Sequence, residues 1–280
     1  MKRDRRAGGS GRSRRRGRAV SGGPAPKPVR LQKYISQAGV ASRRQAEGLM
    51  LEGRVVVNGK PATEMGVKVI PGRDTVLLDG RIVEPARRRW IVFHKPSGVL
   101  CTRNDPHGGQ TVYDLLPRWA MGLRYVGRLD RETSGLLLLT NEGDTAAALA
   151  HPSGQVEREY VATVAGPVTA RDLRALRRGV ELEDGFARPR RVRKVPPDDD
   201  HWSIVVVLTE GRKREVRRLL KAVGHPVLAL ERTRFGPFRL GGLSPGGWRP
   251  AHSRELEEAR SIIAGGRRIR RGSVKRRAHA

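Results

Sequence analysis

The 280-residue chain contains few of the residues from which metal centres and disulfides are built. It has one cysteine, Cys101, which excludes an intrachain disulfide and a zinc site made of several cysteines. Its seven histidines are scattered, and no two of them have the spacing of metal ligands. Neither of the common glycine-rich phosphate-binding loops is present. The sequence therefore predicts a protein that needs neither a metal ion nor a cofactor.

Long apolar segments are also missing. The chain has neither a secretory signal region nor an apolar stretch of about 18 residues, so we expect a cytoplasmic protein that does not span a membrane. Aromatic residues make up only 4% of the chain, and no basic helix with a bulky apolar face is visible. A membrane surface is therefore not the expected partner.

Acidic residues are scarce relative to basic ones. The chain has 57 lysines and arginines against 28 acids, which gives a formal net charge of +29. Residues 1–30 and 265–280 supply +10 and +7 of this charge and leave +12 for the body of the chain. A body this basic matches a polyphosphate partner, because each neutralised phosphate releases counterions. We therefore expect the partner to be a nucleic acid.

One carboxylate lies in a polar loop that is bounded by glycines. Asp130 belongs to the segment 127–135, which follows Tyr125 and Val126 and precedes four consecutive leucines at 136–139. The leucine run predicts a short strand in the middle of a sheet, so Asp130 is expected at the edge of the core. A carboxylate in that position needs a cationic partner to stay ionised. For an isolated loop aspartate, a purely structural capping role would be the commoner explanation.

Two further segments give Asp130 a context. Residues 210–220 follow a strand-like run and turn into an arginine-rich helix, and residues 158–164 form a β-rich segment that carries Tyr160. The three segments together, in this order, resemble the RsuA/RluB-type family of ribosomal RNA pseudouridine synthases. The match is most specific in the Gly-Arg-Leu-Asp motif at 127–130 and in the following Thr-Ser-Gly-Leu-Leu-Leu-Leu-Thr-Asn run at 133–141.

The resemblance implies roles for particular residues. Asp130 would be the catalytic carboxylate that attacks the target nucleotide, and Tyr160 would stack on the uracil and assist proton removal. Arg217 would pair with Asp130 and keep it ionised, although the neighbouring Arg218 is an open alternative. Arg128 would fill the space that the extruded base leaves, or else help to fold the loop. The structural alternative for Tyr160 is a ring that packs in the core.

The N-terminal part of the chain carries a second resemblance. The motifs at 39–44 and 53–59, with a capping box that begins at Ser42 and an Asn-Gly turn at 58–59, are similar to the S4 RNA-binding domain over residues 31–78. The resemblance implies that cations of this unit contact RNA phosphates. The candidates are Arg43 and Arg44, with Lys33 and Arg54 as weaker ones, and their structural alternative is a set of solvated surface charges.

The chain is expected to fold as α+β, with a small helix–helix–hairpin domain followed by a domain with a mixed, largely antiparallel sheet. Residues 1–30 are predicted to be a disordered basic tail, and residues 265–280 a second basic tail. Between them we expect the S4-like domain at 31–84, a linker at 85–89 and the catalytic domain at 90–264. Strand-like runs of the catalytic domain fall at 98–102, 123–127, 135–140, 158–165, 191–195, 202–209 and 226–235.

The functional prediction is an RNA pseudouridine synthase that isomerises one uridine of ribosomal RNA. The stretch 233–238 looks closer to the large-subunit members of the family, so 23S RNA or a partly assembled subunit is the expected partner of a monomeric enzyme. The alternative is a non-catalytic ribosome-assembly or RNA-chaperone protein that works through its S4-like domain and tails. A metal-dependent hydrolase or nuclease is not favoured, since no ligand cluster is visible.

Overall fold

The computed structural model describes residues 27–198 and 201–277. Most of the predicted N-terminal tail, residues 1–26, lies outside the described residues, as do residues 278–280 of the predicted C-terminal tail. In the described part of the chain no helix is both long and apolar enough to cross a membrane. Two units follow one another, and residues 83–89 between them belong to neither a helix nor a strand.

The first unit packs two helices on a small antiparallel sheet. Its strands β2, β3, β5 and β6 form a sheet in the order β3-β2-β5-β6, while β1 pairs with β4. Leu31, Ile35, Met50 and Val55 are fully buried between the helices and this sheet. The elements are β1 (Val29–Arg30), α1 (Leu31–Gln37), α2 (Arg43–Leu51), β2 (Val55–Val57), β3 (Lys60–Pro61), β4 (Lys68–Val69), β5 (Val76–Leu78) and β6 (Arg81–Ile82).

Two local signals in this unit form as predicted. The Ser42 hydroxyl accepts the N–H of Gln45 at 3.2 Å, and the Gln45 side chain accepts the N–H of Ser42 at 2.9 Å, which is the capping box at the start of α2. Asn58 and Gly59 join β2 to β3 with φ values of 49° and 80°. Positive φ at both turn residues gives the turn the twist that an antiparallel hairpin requires.

The second unit is built around one large sheet. Its strands are β7 (Trp90–Lys95), β8 (Arg124–Val126), β9 (Thr133–Thr140), β10 (Arg158–Val164), β11 (Val180–Leu182), β12 (Gly185–Ala187), β13 (Arg191–Asp198), β14 (His201–Leu208), β15 (Val227–Phe235), β16 (Phe238–Arg239) and β17 (Trp248–Pro250). Its helices are α3 (Gly143–Ala150), α4 (Ala170–Arg178), α5 (Glu215–Ala222) and α6 (Ser253–Arg277), with short 3₁₀ turns at Arg118–Gly122 and Pro152–Gly154.

The sheet confirms the predicted α+β class. It has nine strands: seven follow the path β13-β14-β10-β15-β9-β7-β17, and the other two are β16 beside β15 and β8 beside β9. Strand β9 pairs in parallel with β15 and antiparallel with β7, so the sheet is mixed and largely antiparallel. Strands β11 and β12 form a separate two-stranded hairpin.

The leucine run lies at the centre of this sheet, as predicted. Leu136 and Leu138 belong to one apolar cluster, and Leu137 and Leu139 belong to another. All four side chains are fully buried, because β9 has apolar cores on both of its faces. The loop that carries Asp130 is therefore attached to a deeply buried strand of the domain.

Two predicted elements differ from the structure. The run 98–102 is not a strand: it contributes only a single bridge, between Leu100 and Thr111. Residues 96–102 run instead along the Asp130 loop, where Gly98 donates its N–H to the carbonyl of Arg131 at 2.8 Å. The other difference is at residues 29–30, which are predicted within the disordered tail but form β1 and pair with β4. Helix α6 continues past Gly265 to Arg277 and so includes most of the predicted basic tail at 265–280.

Candidate active site

A buried lysine at the end of β7 holds the Asp130 loop in place. Lys95 is fully buried, and its Nζ donates to the carbonyls of Pro96 at 2.8 Å, Arg131 at 3.1 Å and Thr133 at 2.8 Å. Burial lowers the pKa of Lys95, and the negative charge of Asp130 opposes that shift. The ammonium therefore ties the loop to the end of β7 and puts positive charge beside the carboxylate.

A glycine lets β15 approach the end of this loop. Gly135 in β9 has φ of +102°, and a Cβ at this position would lie 2.4 Å from the carbonyl oxygen of Arg232. A real Cβ does not come that close to a backbone atom, so glycine is needed here for two reasons, conformation and space. Strand β15 is thereby brought beside Asp130.

The loop forms one wall of a cavity of about 850 Å³. Asp130, Arg128 and Tyr160 all line this cavity, so the structure brings three of the four predicted catalytic residues together. Arg217 is not among the lining residues. The remaining wall is strongly cationic, with contributions from Arg131, Arg158, Arg212, Lys213, Arg214 and Arg232.

Asp130 itself is half-buried at the edge of the core, as the sequence indicates. Its backbone carbonyl accepts the N–H of Thr133 at 3.1 Å and closes the loop. Among the described residues its carboxylate accepts no hydrogen bond and forms no ion pair. The carboxylate is therefore held in place by its backbone while its oxygens remain available to a ligand.

The predicted direct pair between Arg217 and Asp130 is absent. The Arg217 guanidinium donates instead to the backbone carbonyls of Val227 at 3.1 Å and Glu132 at 3.0 Å. Burial lowers the pKa of Arg217, and the charge of Asp130 acts against this shift, so the two groups interact through space. The carbonyl bonds fix the guanidinium behind the loop, beyond ion-pair distance of the carboxylate.

Arg218 points in another direction. Its two terminal nitrogens contact the carboxylate of Asp184 at 2.7 and 2.9 Å in a bidentate pair. Of the two arginines, only Arg217 therefore lies on the Asp130 side of helix α5. Val216, Leu219 and Leu220 on the buried face of the helix orient both side chains.

Tyr160 lies on strand β10 beside the cavity. It is half-buried, its register partner on β15 is Arg232, and its ring packs against apolar clusters on both sides. The position is compatible with both predicted roles, packing in the core and contact with uracil, because the ring packs against the apolar clusters and the residue also lines the cavity.

Two buried cations at the floor of the cavity were not predicted. Arg158 is 6% exposed and donates to the carbonyls of Ala150 at 2.9 Å and Thr209 at 3.1 Å; burial lowers its pKa. Arg232 is 2% exposed and donates from Nε to the carbonyl of Leu136 at 2.8 Å. Both guanidinium groups lie over the ring of Phe235, at 4.8 and 5.1 Å. The signal for them was a charge inside an otherwise strand-like run.

A buried acid completes the floor. Glu215 is 3% exposed, and its Oε2 accepts the N–H of Arg212 at 3.0 Å. Burial, together with the nearby carboxylate of Glu210, raises the pKa of Glu215 to about 7. Its Oε1 atom is buried and finds no partner among the described residues. The sequence offered no signal for this acid beyond its place at the start of α5.

The four predicted RNA contacts of the first unit separate into two pairs. Arg43 and Arg44 are exposed in the first turn of α2 and form no ion pair within the described chain. Arg54 is held by Asp79 in a bidentate pair at 2.8 and 2.7 Å. Lys33 contacts Asp144 of the second unit. The charges of Lys33 and Arg54 are thus compensated within the chain, those of Arg43 and Arg44 are not, and RNA contact by all four residues stays a prediction.

Comparisons with known proteins agree with this arrangement. Residues 89–222 match the family of RNA pseudouridylate synthases, and residues 29–73 match the S4 domain. An uncharacterized RNA pseudouridine synthase of Aquifex aeolicus is 44% identical over 231 residues, which cover 82% of this chain and 93% of that protein. The large-subunit pseudouridine synthase B of Vibrio cholerae is 43% identical over 84% of this chain and 75% of its own length.

A crystal structure of a pseudouridylate synthase superposes with a TM-score of 0.58 and 27% identity, covering 82% of this chain and 99% of that one. With relatives this similar along most of its length, the chain belongs to the RNA pseudouridine synthases that carry an N-terminal S4 domain. It is therefore an isomerase that acts on RNA.

Proposed function

We propose that the chain isomerises one specific uridine of large-subunit (23S) ribosomal RNA, and that it does so as a monomer in the cytoplasm. The observation that carries the proposal is the meeting of Asp130, Arg128 and Tyr160 on one cation-lined cavity. The name of the Vibrio cholerae relative supports the large subunit as the source of the RNA. The stretch 233–238, which resembles large-subunit members of the family, supports it as well.

The reaction moves uracil from a nitrogen to a carbon linkage on the same ribose. The bond between N1 and C1′ breaks, a bond between C5 and C1′ forms, C5 loses a proton and N1 gains one, so substrate and product contain the same atoms. Asp130 is the nucleophile in this proposal. Its carboxylate is suited to attack, since its oxygens form no hydrogen bond or ion pair with the described residues and the loop backbone fixes its position.

Two cations lie close to the carboxylate without contacting it. Lys95 lies beneath the loop, and Arg217 acts through space from behind it. Neither cation pairs directly with Asp130, so neither has to be displaced before the carboxylate reacts. The pair predicted from the sequence is thus replaced by a positive field, and we assign Arg217 a positioning role.

Tyr160 and Arg128 act on the extruded base in this proposal. The Tyr160 ring is placed to stack on uracil, and its hydroxyl can assist removal of the C5 proton. Extruding a base from folded RNA costs a few kcal/mol. Arg128 is exposed at the mouth of the cavity, where it can occupy the vacated space or hold a phosphate.

The test is tritium release from ribosomal RNA labelled at uridine C5, with small- and large-subunit RNA assayed separately. We expect the wild-type protein to release tritium from large-subunit RNA and the Asp130→Ala variant to bind that RNA without release. Release from small-subunit RNA alone would contradict the assignment of the substrate. Tight binding without release from either RNA, or from assembly intermediates, would support the alternative of a non-catalytic assembly protein.

A further inference from the structure

The catalytic unit carries a dense group of arginines away from the active-site cavity. Helix α4 contributes Arg174, Arg177 and Arg178, the segment after β12 contributes Arg188 and Arg190, and β13 contributes Arg193; all six side chains are exposed. These six residues are called the arginine surface below. Four of them alone line a cavity of about 450 Å³. The others, with Arg177, line an adjoining cavity of about 490 Å³, whose wall also includes Arg191, one carboxylate, Glu159, and three valines.

The arginine surface differs from several other arginines of the unit in how its charge is compensated. Arg214, Arg218 and Arg234 contact carboxylates at 3.1, 2.7 and 2.9 Å. Within the described chain none of the six side chains of the arginine surface forms an ion pair. Two of them are fixed by neutral carbonyls: Arg177 donates to Val192 at 3.2 Å, and Arg188 donates to the carbonyl of Arg177 at 2.9 Å.

A cluster of like charges that form no ion pairs repels itself and is neutralised best by a polyanion. Guanidinium groups also match phosphate oxygens in a two-pronged geometry. The fixed pair, Arg177 and Arg188, keeps α4 and the edge of the sheet together, so that the remaining four can point outward as a set. Such an arrangement fits several consecutive phosphates better than a single small anion.

The arginine surface is connected to the active-site cavity by the β11–β12 hairpin. Arg212, which lines that cavity, donates to the hairpin carbonyls of Gly185 at 3.1 Å and Phe186 at 2.9 Å. Arg188 follows directly after this hairpin. Phe186 is 55% exposed at the same place, where an aromatic ring can stack on an unpaired base. An RNA strand that leaves the cavity along Arg212 therefore meets the arginine surface next.

We propose that the arginine surface binds backbone phosphates of the RNA that flanks the target uridine, and so extends the substrate footprint beyond the cavity and the S4 domain. This inference rests on the proposed function for the identity of the RNA. The competing explanation is protection of the sheet, since β13 is an edge strand and exposed cations discourage edge-to-edge pairing.

The test removes four charges from the arginine surface and, in a control, four charges elsewhere. The first variant combines Arg174→Gln, Arg178→Gln, Arg190→Gln and Arg193→Gln, none of which donates a side-chain hydrogen bond within the described chain. The control combines four other exposed cations of the same unit without ion pairs there: Arg118→Gln, Lys221→Gln, Arg239→Gln and Arg254→Gln. Both variants lose the same net charge.

Binding to large-subunit RNA is measured from 50 to 300 mM salt, with gel filtration to check for aggregation. For the first variant we expect at least about tenfold weaker binding and a salt slope that is lower by about 3, as four lost phosphate contacts imply. The control should bind within about twofold of wild type. An equal loss in both variants would overturn the proposal, as would wild-type affinity in the first variant, whether or not it aggregates.

The readouts separate this inference from the proposed function. In one outcome, wild type releases no tritium from either RNA, while the first variant loses affinity and the control does not. That outcome would reject the proposed function and keep the RNA-binding role of the arginine surface. Tritium release by wild type and by the first variant with unchanged KM would keep the function and reject the arginine surface.

Discussion

The two sides of the active-site cavity treat charge in opposite ways. On the loop side, Asp130 and Arg128 are partly exposed and held only through their backbone, so their side chains are available to RNA. On the floor, Arg158, Arg232 and Glu215 are buried and bound to backbone groups of the surrounding strands. In the proposed reaction the loop side supplies the reactive groups, and the floor supplies a fixed positive environment for them. Substitutions on the two sides should therefore affect different measurements.

The largest effect on stability is expected from the glycine that joins the two sides. Gly135→Ala puts a Cβ 2.4 Å from the carbonyl oxygen of Arg232 at a φ of +102°. Overpacking and conformational strain together should lower the free energy of unfolding by about 3 kcal/mol. The control is Gly127→Ala, which has a similar φ of +70° but no neighbour closer than 3.9 Å. Urea denaturation measures both variants, and equal losses would show that β9 and β15 tolerate separation.

The next effect concerns the floor and depends on pH. Glu215 has a pKa of about 7 in the folded protein against an ordinary 4.5, so folding favours its protonated form. Its contribution to stability is present below pH 4.5 and is lost as the pH rises through 7. Glu215→Gln keeps the side chain neutral and should gain about 2 to 3 kcal/mol relative to wild type between pH 5 and pH 8. Urea unfolding at the two pH values measures this. The same difference in unfolding free energy between variant and wild type at pH 5 and at pH 8 would contradict the prediction.

A third comparison uses two neighbouring arginines on one helix. Arg217 acts on Asp130 through space, whereas Arg218 is committed to Asp184. Arg217→Ala should reduce kcat by about 100-fold with little change in RNA affinity, which corresponds to about 2.7 kcal/mol of transition-state stabilisation. Arg218→Ala should leave kcat within about threefold. Single-turnover tritium release gives both values, and a reversed order would show that the wrong arginine is assigned.

The smallest effect separates two uses of one ring. Tyr160→Phe keeps stacking and removes only the hydroxyl, so we expect about a tenfold loss of kcat at unchanged KM. Tyr160→Leu should weaken RNA binding as well, because base stacking is worth about 1 to 3 kcal/mol. Binding and single-turnover rates of the two variants decide the matter. If Tyr160→Phe is fully active, the hydroxyl has no part in proton transfer.

The sequence was sufficient for those features that depend on neighbouring residues. The capping box at Ser42, the Asn58–Gly59 turn and the buried leucine strand all arise from short-range pattern, and all three form in the structure. Only the family resemblance predicted that Asp130 and Tyr160 share one site. Strand β9, which follows Asp130, and strand β10, which carries Tyr160, do not pair with each other, because β15 lies between them.

The remaining features depend on contacts between distant segments. Nothing in the local sequence distinguishes Arg232 from the many other arginines of the chain. Only the packing of β15 against β9 shows that it is buried. The Arg217–Asp130 pair was wrong for the same reason, because the carbonyls of Glu132 and Val227 compete for the guanidinium. Lys33 and Arg54 likewise find carboxylate partners that their local sequence does not reveal.

The most direct test of the account is a paired measurement on Asp130→Asn and wild type, with single-turnover tritium release from large-subunit RNA beside RNA affinity and urea unfolding. The substitution keeps the shape of the side chain and removes the nucleophilic charge. We predict a rate at least about 10⁴-fold lower, with affinity within about threefold and unfolding free energy within about 1 kcal/mol of wild type. A variant that retains substantial activity, or one that loses activity only because it unfolds, would contradict the claim that the loop side carries the chemistry.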